Sequence, residues 1–167
     1  MNLFSRFLAA IFLLGFAGLT QAAGAGLTGE YFTTNNFSGT ASTRVDAAVN
    51  FDWGTGSPGF GGLGSNNFSI RWSGQLEPRY NDTYTFYVTA DDGATLWVND
   101  RLIVSRLLAA TPTQMAGQIT LRAGQRVNIR LEYIERTNNA SILLEWASTN
   151  QTREVVPQSQ LVLATRS

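Results

Sequence analysis

Residues 84–98 read YTFYVTADDGATLWV. From Tyr84 to Val88 the apolar residues stand at every second position, which is the period of a strand with one buried face. The alternation resumes at Leu96 after a break at Asp92-Gly93. The plain interpretation is two strands joined by a tight turn, with glycine in the left-handed region and the aspartates making local hydrogen bonds.

The same alternation recurs on both sides of this segment. It is present in Phe68–Trp72 and Val127–Tyr133, and Ile142–Trp146 predicts a further strand. Turn-forming pairs such as Asn99-Asp100 separate these runs, and Gly54–Asn67 is a long glycine-rich loop without a strand pattern. No window favours an amphipathic helix, so the chain is predicted to be an all-β antiparallel sandwich or barrel. Tryptophans at strand positions are expected in the core, although indole rings can also stack on sugars.

Composition excludes several classes of function. The sequence is 44% hydrophobic and 14% charged, which is typical of a folded globular domain. It contains no cysteine and no histidine, so disulfides, thiol catalysis, thiolate zinc sites and the commonest general base are excluded. Twelve basic and twelve acidic residues cancel, which gives no electrostatic footprint for nucleic acid or anionic membranes. We therefore expect a binding protein and not an enzyme.

The amino terminus has the pattern of a cleavable signal peptide. Arg6 supplies the positive charge, Phe7–Leu19 is an apolar run too short for a comfortable membrane span, and Thr20-Gln21-Ala22 offers a small-x-small cleavage pattern. We expect residues 1–22 to be the signal peptide and residues 23–167 to form a single domain. That domain would be secreted or periplasmic, with no membrane span after cleavage and with association to the cell surface left open.

The pair Asp91-Asp92 is the strongest candidate for a site. Two adjacent carboxylates repel each other unless something positive lies between them, and calcium binds six to eight oxygens from carboxylates, carbonyls, amides and water. The segment Glu135–Asn139 could offer more oxygens if the fold places it alongside. A glycosidase would need carboxylates on either side of the scissile bond, which neighbouring residues rarely provide.

An ordered series of short motifs resembles the PA14 domain family, a β-sandwich module found in anthrax protective antigen, yeast flocculins, bacterial adhesins and some glycosidases. The resemblance extends from Gly26 to about Leu161. The motifs that carry it are Gly26-Leu27-Thr28-Gly29-Glu30-Tyr31-Phe32, Phe51-Asp52-Trp53-Gly54, Ser57-Pro58, Phe68-Ser69-Ile70-Arg71-Trp72-Ser73-Gly74, Tyr84–Val88, Asp91-Asp92-Gly93-Ala94, Leu96-Trp97-Val98, Ile119–Gly124, Arg130–Tyr133, Leu144-Glu145-Trp146 and Val156-Pro157.

The resemblance implies a specific sandwich and a specific site. Lectins of the family use paired aspartates, joined by a cis peptide bond, to hold calcium, and the calcium coordinates sugar hydroxyls. Carried over, the metal ligands would be Asp91 and Asp92, with Asn138 and Asn139 as further candidates. The residues expected around the sugar are Asp91, Asp92, Gly93, Glu135, Arg136 and Asn138.

Two functions follow as hypotheses. The first is an exported, calcium-dependent carbohydrate-binding module of lectin or adhesin type, whose partner is a carbohydrate or glycoconjugate. The alternative is a non-lectin module for protein interaction or assembly, in which the aspartate turn is purely structural and the partner is a protein.

Overall fold

The computed structural model describes residues 24–105 and 108–164 and contains almost only β-structure. The predicted signal peptide lies outside the described residues. Over the described ranges, no helix is long and apolar enough to cross a membrane. Within the described residues, the 3-10 turn Gln158–Gln160 precedes the last strand. The strands are β1 (Leu27–Phe32), β2 (Ser42–Asp46), β3 (Asn50–Gly54), β4 (Phe68–Leu76), β5 (Asp82–Val98), β6 (Arg101–Val104), β7 (Ala109–Leu121), β8 (Val127–Glu135), β9 (Ala140–Ser148), β10 (Gln151–Val155) and β11 (Leu161–Val162).

The strands form two antiparallel sheets that share β5. Sheet I has the order β2-β1-β4-β8-β5-β6, with β11 paired to the end of β4. Sheet II has the order β10-β9-β5-β7, and β3 also pairs with β9. The inner faces pack together through aromatic rings: Phe51 of sheet II stacks on Trp72 of sheet I with ring centroids 5.8 Å apart. The predicted all-β fold is therefore confirmed.

The prediction of a break between two strands at Asp92-Gly93 was wrong. Strand β5 continues through it and changes sheets, since Asp91 pairs with Ser141 of sheet II and Gly93 pairs with Ile134 of sheet I. An irregularity in the ladder with β7 lies between Ala90 and Asp92. Pairing with distant strands on both sides of the Asp-Gly step overrides its local preference for a turn.

The core follows the alternation of the sequence. Inward-facing residues of β5 and β8, among them Tyr84, Phe86 and Leu131, are completely buried. Of the tryptophans, Trp72 and Trp146 are buried as expected, whereas Trp53 and Trp97 retain exposed surface. Trp97 departs from the expected core position because it stands on the outer face of sheet I.

The glycine-rich loop between β3 and β4 has no strand, as predicted, but it is packed on the sandwich. Leu63 is buried, and the ring centroid of Phe60 lies 5.1 Å from that of Tyr31. At the end of the loop, the Asn67 amide donates to the Arg136 carbonyl at 3.3 Å. This contact places the loop beside the segment that follows β8.

Candidate functional site

The paired aspartates lie at the point where β5 changes sheets. The peptide bond between Asp91 and Asp92 is cis, as the resemblance implied. Both residues are buried, with 2% and 6% of their surface exposed. Because the ladders on either side belong to different sheets, the fold holds these carboxylates at the junction of the two sheets.

The Asp92 carboxylate joins this junction to the segment after β8. Its Oδ2 accepts hydrogen bonds from the backbone amides of Arg136 at 2.7 Å and Thr137 at 3.2 Å. Two donors on one carboxylate oxygen fix the position of the segment. The fold therefore places residues 136 and 137 alongside the aspartates, but through backbone N–H donors and not through the oxygens that a metal ion would need.

Tyr133 connects Asp91 to a third acidic residue, Glu135. The Tyr133 hydroxyl contacts the Asp91 carbonyl and lies 2.9 Å from Glu135 Oε2. A phenol has one proton and cannot donate to both oxygens. Both contacts are satisfied when Glu135 is protonated and donates to Tyr133, while Tyr133 donates to the Asp91 carbonyl.

The electrostatics agree with a protonated Glu135. Burial raises the pKa of Glu135 to about 7. The hydrogen bond with Tyr133 opposes this increase, and the charges of Asp92 and Asp91 add to it. Burial and the neighbouring Asp92 charge raise the pKa of Asp91. Burial and the nearby acidic groups also raise the pKa of Tyr133, so its hydroxyl stays protonated.

The acidic cluster, defined as Asp91, Asp92 and Glu135, has no cationic partner among the described residues. None of the ion pairs found between described residues includes any of the three. Glu135 Oε1 is buried without a hydrogen-bond partner. Buried charges in proteins are normally paired or bound to a metal, so a cation would stabilise the ionised forms of Asp91 and Asp92.

The predicted site residues are only partly assembled. Gly93 lies inside β5, and Arg136 contributes its backbone amide. Asn138 and Asn139 are exposed, and in the described parts of the chain no hydrogen bond joins their side chains to either aspartate. Instead, the backbone N–H of Asn138 donates to Asn66 Oδ1 at 3.0 Å, which joins this segment to the glycine-rich loop.

Tyr133 was not predicted as part of the site. It stands two residues before Glu135 on β8, and residues at this spacing share one face of a strand. That spacing was the available signal, since an inward-facing tyrosine needs a partner for its hydroxyl. By its place in the alternation of β8 alone, Tyr133 is predicted only as a core residue.

A surface hollow of about 310 Å³ adjoins the cluster. Its lining includes Asn35, Leu108, Ile134 and Arg136. Ile134 pairs with Gly93, and Arg136 donates to Asp92, so the hollow lies at the edge of the sheet junction. Its mixed polar and apolar lining can accept a small ligand, and none of the three acidic residues is among the described residues that line it.

The donor set limits the chemistry of the site. Among the described residues, no group of three or more His, Cys, Asp or Glu side chains is arranged to hold a metal ion. A cation would therefore depend on the two aspartates and on carbonyl, amide or water oxygens. Calcium accepts such a mixed set of oxygens, whereas transition metals favour imidazole and thiolate ligands that this sequence lacks.

Comparison with known proteins gives a consistent family. The family model described as "PA14 domain" matches residues 24–160. Anti-sigma-I factor RsgI3 of Acetivibrio thermocellus is 41% identical over 141 residues, which cover 84% of this chain and 22% of that protein. The chain thus spans about a fifth of the length of this relative.

Two solved structures illustrate the likeness of fold. An anti-sigma factor domain-containing protein superposes with a TM-score of 0.82 and 38% identity, covering 87% of this chain and 50% of that chain. The PA14 sugar-binding domain from an RTX adhesin superposes with a TM-score of 0.66 and 19% identity, covering 84% and 99%. The second likeness, at that identity, concerns the fold alone.

Proposed function

The chain belongs to the PA14 domain family, and from this premise we propose that it is an exported carbohydrate-binding module in which Asp91 and Asp92 hold a calcium ion. The observation that carries the proposal is the acidic cluster. Its three buried carboxyl groups have no cationic partner in the described chain. A bound divalent ion would supply the missing positive charge.

The residues present fit a hard cation. The Asp91 carboxylate accepts no hydrogen bond from the described residues, and Glu135 Oε1 is also unpartnered. Asp92 uses Oδ2 for the backbone of residues 136 and 137, which leaves Oδ1 for an ion. Calcium bound here would present open coordination positions to the hydroxyl groups of a sugar.

The protein supplies the rest of the sugar site. The hollow next to the cluster would take the sugar ring, and Ile134 offers it an apolar contact. The exposed side chains of Arg136 and Asn138 stand on the same segment and would donate hydrogen bonds to ring substituents. Among structures of the same fold, one is by its name a sugar-binding domain, which supports this class of ligand.

Calcium titration tests the proposal. We expect millimolar calcium to raise the melting temperature and EDTA to reverse the increase, because an ion that binds only the folded state stabilises it by mass action. Asp91→Asn and Asp92→Asn should each abolish the response. Asp52→Asn is the matched control, since Asp52 is exposed and, among the described residues, accepts a hydrogen bond only from the backbone N–H of Gly54.

A glycan array recorded with calcium and with EDTA then tests the sugar. Signals that require both calcium and Asp92 would support the carbohydrate-binding module. If calcium leaves the melting temperature unchanged at millimolar concentration, the proposed metal site is wrong.

A protein-interaction module is the second candidate function. It is favoured by the 41% identical relative, which is by name an anti-sigma-I factor. In this case the segment fixed by Asp92 would contact a protein, and the cluster would have a structural role. This alternative expects no calcium response and no glycan signal, with a protein partner recovered by cross-linking to exposed residues 136–139.

A further inference from the structure

A second hollow lies on the outer face of sheet I, near the turn that joins β5 to β6. It has a volume of about 440 Å³. In register, Gly93 is opposite Ile134 and Trp97 is opposite Arg130, which separates this hollow from the sheet junction by about 13 Å along the strands. The residues that define its chemistry are Ser73, Trp97, Asp100, Asn128, Arg130 and Ala164.

Strand register brings three of these side chains together. Arg130 of β8 pairs with Trp97 on one side and with Ser73 of β4 on the other. Side chains directly opposite on one face of a sheet lie about 5 Å apart at Cβ. Trp97, Arg130 and Ser73 therefore form a continuous row across the sheet, in which Ser73 has the smallest side chain.

The β5–β6 turn adds two polar groups to this row. Asn99 and Asp100 have φ angles of 51° and 59°, the left-handed pair of a two-residue hairpin turn. The turn is anchored where the Asn99 amide donates to the Asn128 carbonyl at 2.8 Å. The Asn128 side chain donates to Asp100 Oδ1 at 3.4 Å, a long contact that leaves both groups available to a ligand.

Arg130 is held in place but has unused donors. Its guanidinium carbon lies 4.0 Å from the centroid of the Trp97 ring. Its nearest acidic group is Glu132, with Nε 3.9 Å from Oε1, too far for a hydrogen bond. The same Oε1 already accepts from Arg71 Nε at 2.9 Å. Within the described part of the chain, Arg130 makes no hydrogen bond through its side chain.

We propose that this hollow is a calcium-independent binding site for an acidic sugar, with Arg130 receiving the carboxylate. A guanidinium stacked on an indole presents a planar edge of N–H groups, which matches a carboxylate in bidentate geometry. Preorganisation by Trp97 reduces the entropy lost on binding. The site needs no metal and does not depend on the function proposed for the acidic cluster.

The other lining groups select hydroxyl groups in addition to the charge. Asp100 can only accept hydrogen bonds when ionised, and a simple carboxylate ligand would offer it no donor beyond the long contact from Asn128. Sugar hydroxyls donate to Asp100 and accept from Asn128 and Ser73. The negative charge of Asp100 also opposes a dense polyanion, so a single carboxylate on a hydroxylated ring fits the lining best.

The experiment compares glucuronate, glucose and acetate in buffer with EDTA. Glucuronate and glucose share the hydroxylated ring and differ by the carboxylate, while acetate has the carboxylate alone. Binding is followed by the NMR shift of the Trp97 indole N–H, assigned by its loss in Trp97→Phe. We expect glucuronate to bind at least about tenfold more tightly than glucose or acetate, the ratio typical of a charge-assisted hydrogen bond.

Arg130→Gln should remove the preference for glucuronate over glucose, and circular dichroism should confirm its fold. Arg122→Gln is the matched control, because it removes the same charge from an exposed arginine outside the hollow. Asp92→Asn should leave glucuronate binding unchanged. The proposal would be overturned if glucose or acetate bound as tightly as glucuronate, or if glucuronate binding required calcium.

Discussion

At the scale of single residues, the contact between Tyr133 and Glu135 has a consequence for stability. The folded protein retains a proton on Glu135 up to about pH 7, whereas an unfolded glutamate releases it near its ordinary pKa of 4.5. Over that interval the folded state binds more protons than the unfolded state. The free energy of unfolding must therefore fall as pH rises through it.

This linkage gives a measurable pH dependence. In calcium-free buffer, we expect the melting temperature to be highest below pH 4.5, as far as Glu135 and Asp91 determine it, and to decrease by several degrees towards pH 7. Glu135→Gln should flatten the decrease, because a neutral amide can also donate to Tyr133. The check is a series of thermal melts from pH 4 to 8.

Glu30→Gln provides the control for that series. Glu30 is partly exposed and faces Arg71 at 3.5 Å on the outer face of sheet I. This variant should keep the wild-type pH dependence. A Glu135→Gln protein with the same slope as wild type would show that Glu135 is ionised in the folded state.

The residues of the candidate site could be predicted only where neighbouring residues in the sequence already indicate their role. Adjacent aspartates are visible in any sequence, and they were identified. Tyr133 and the backbone amides of Arg136 and Thr137 were not, because their role depends on which strand lies beside β5. Side-chain identity indicates a donor or acceptor, but partners distant in sequence are set by the sheet register.

At the scale of strands, β6 and β7 meet at Gly117. A Cβ atom on this residue would lie 2.1 Å from the Ile103 carbonyl oxygen and 2.8 Å from Ile103 Cγ2. A backbone oxygen cannot move away as a flexible side chain can. The close approach of β6 to β7 thus depends on glycine at this position.

Gly117→Ala should therefore destabilise the fold. We expect a loss of about 2–3 kcal/mol, the upper part of the range for overpacking. Gly64→Ala is the control, because its added Cβ would have no neighbour closer than the Asn66 carbonyl oxygen at 3.8 Å. Urea unfolding measures both variants, and a Gly117→Ala protein within about 0.5 kcal/mol of wild type would contradict the observed packing.

Strand β7 also shows why periodicity does not predict every strand. Central strands such as β4 and β8 alternate apolar and polar residues, and they were located from that pattern alone. Among the described strands, β7 pairs with β5; its outward positions carry Gln114, Ala116, Gln118 and Thr120, and its inward positions include Gly117. An edge strand needs fewer large apolar residues, so its pattern is weak.

At the scale of the whole molecule, β5 makes the two sheets one cooperative unit. Its first part carries the ladders with β7 and β9 and its second part those with β6 and β8. Opening either sheet exposes the inner face of the other, including the stacked rings of Phe51 and Trp72. We therefore expect that neither sheet can unfold while the other keeps a buried core.

Hydrogen exchange tests this cooperativity. The slowest amides of β8 in sheet I and of β9 in sheet II should exchange with the same free energy, equal to that of global unfolding. Gly117→Ala lies in sheet II and should lower both values by the same amount, since the loss is shared through β5. If the variant lowered protection in β9 and left β8 unchanged, the sheets would be separate folding units, and Asp91 and Asp92 would lie at a hinge between them.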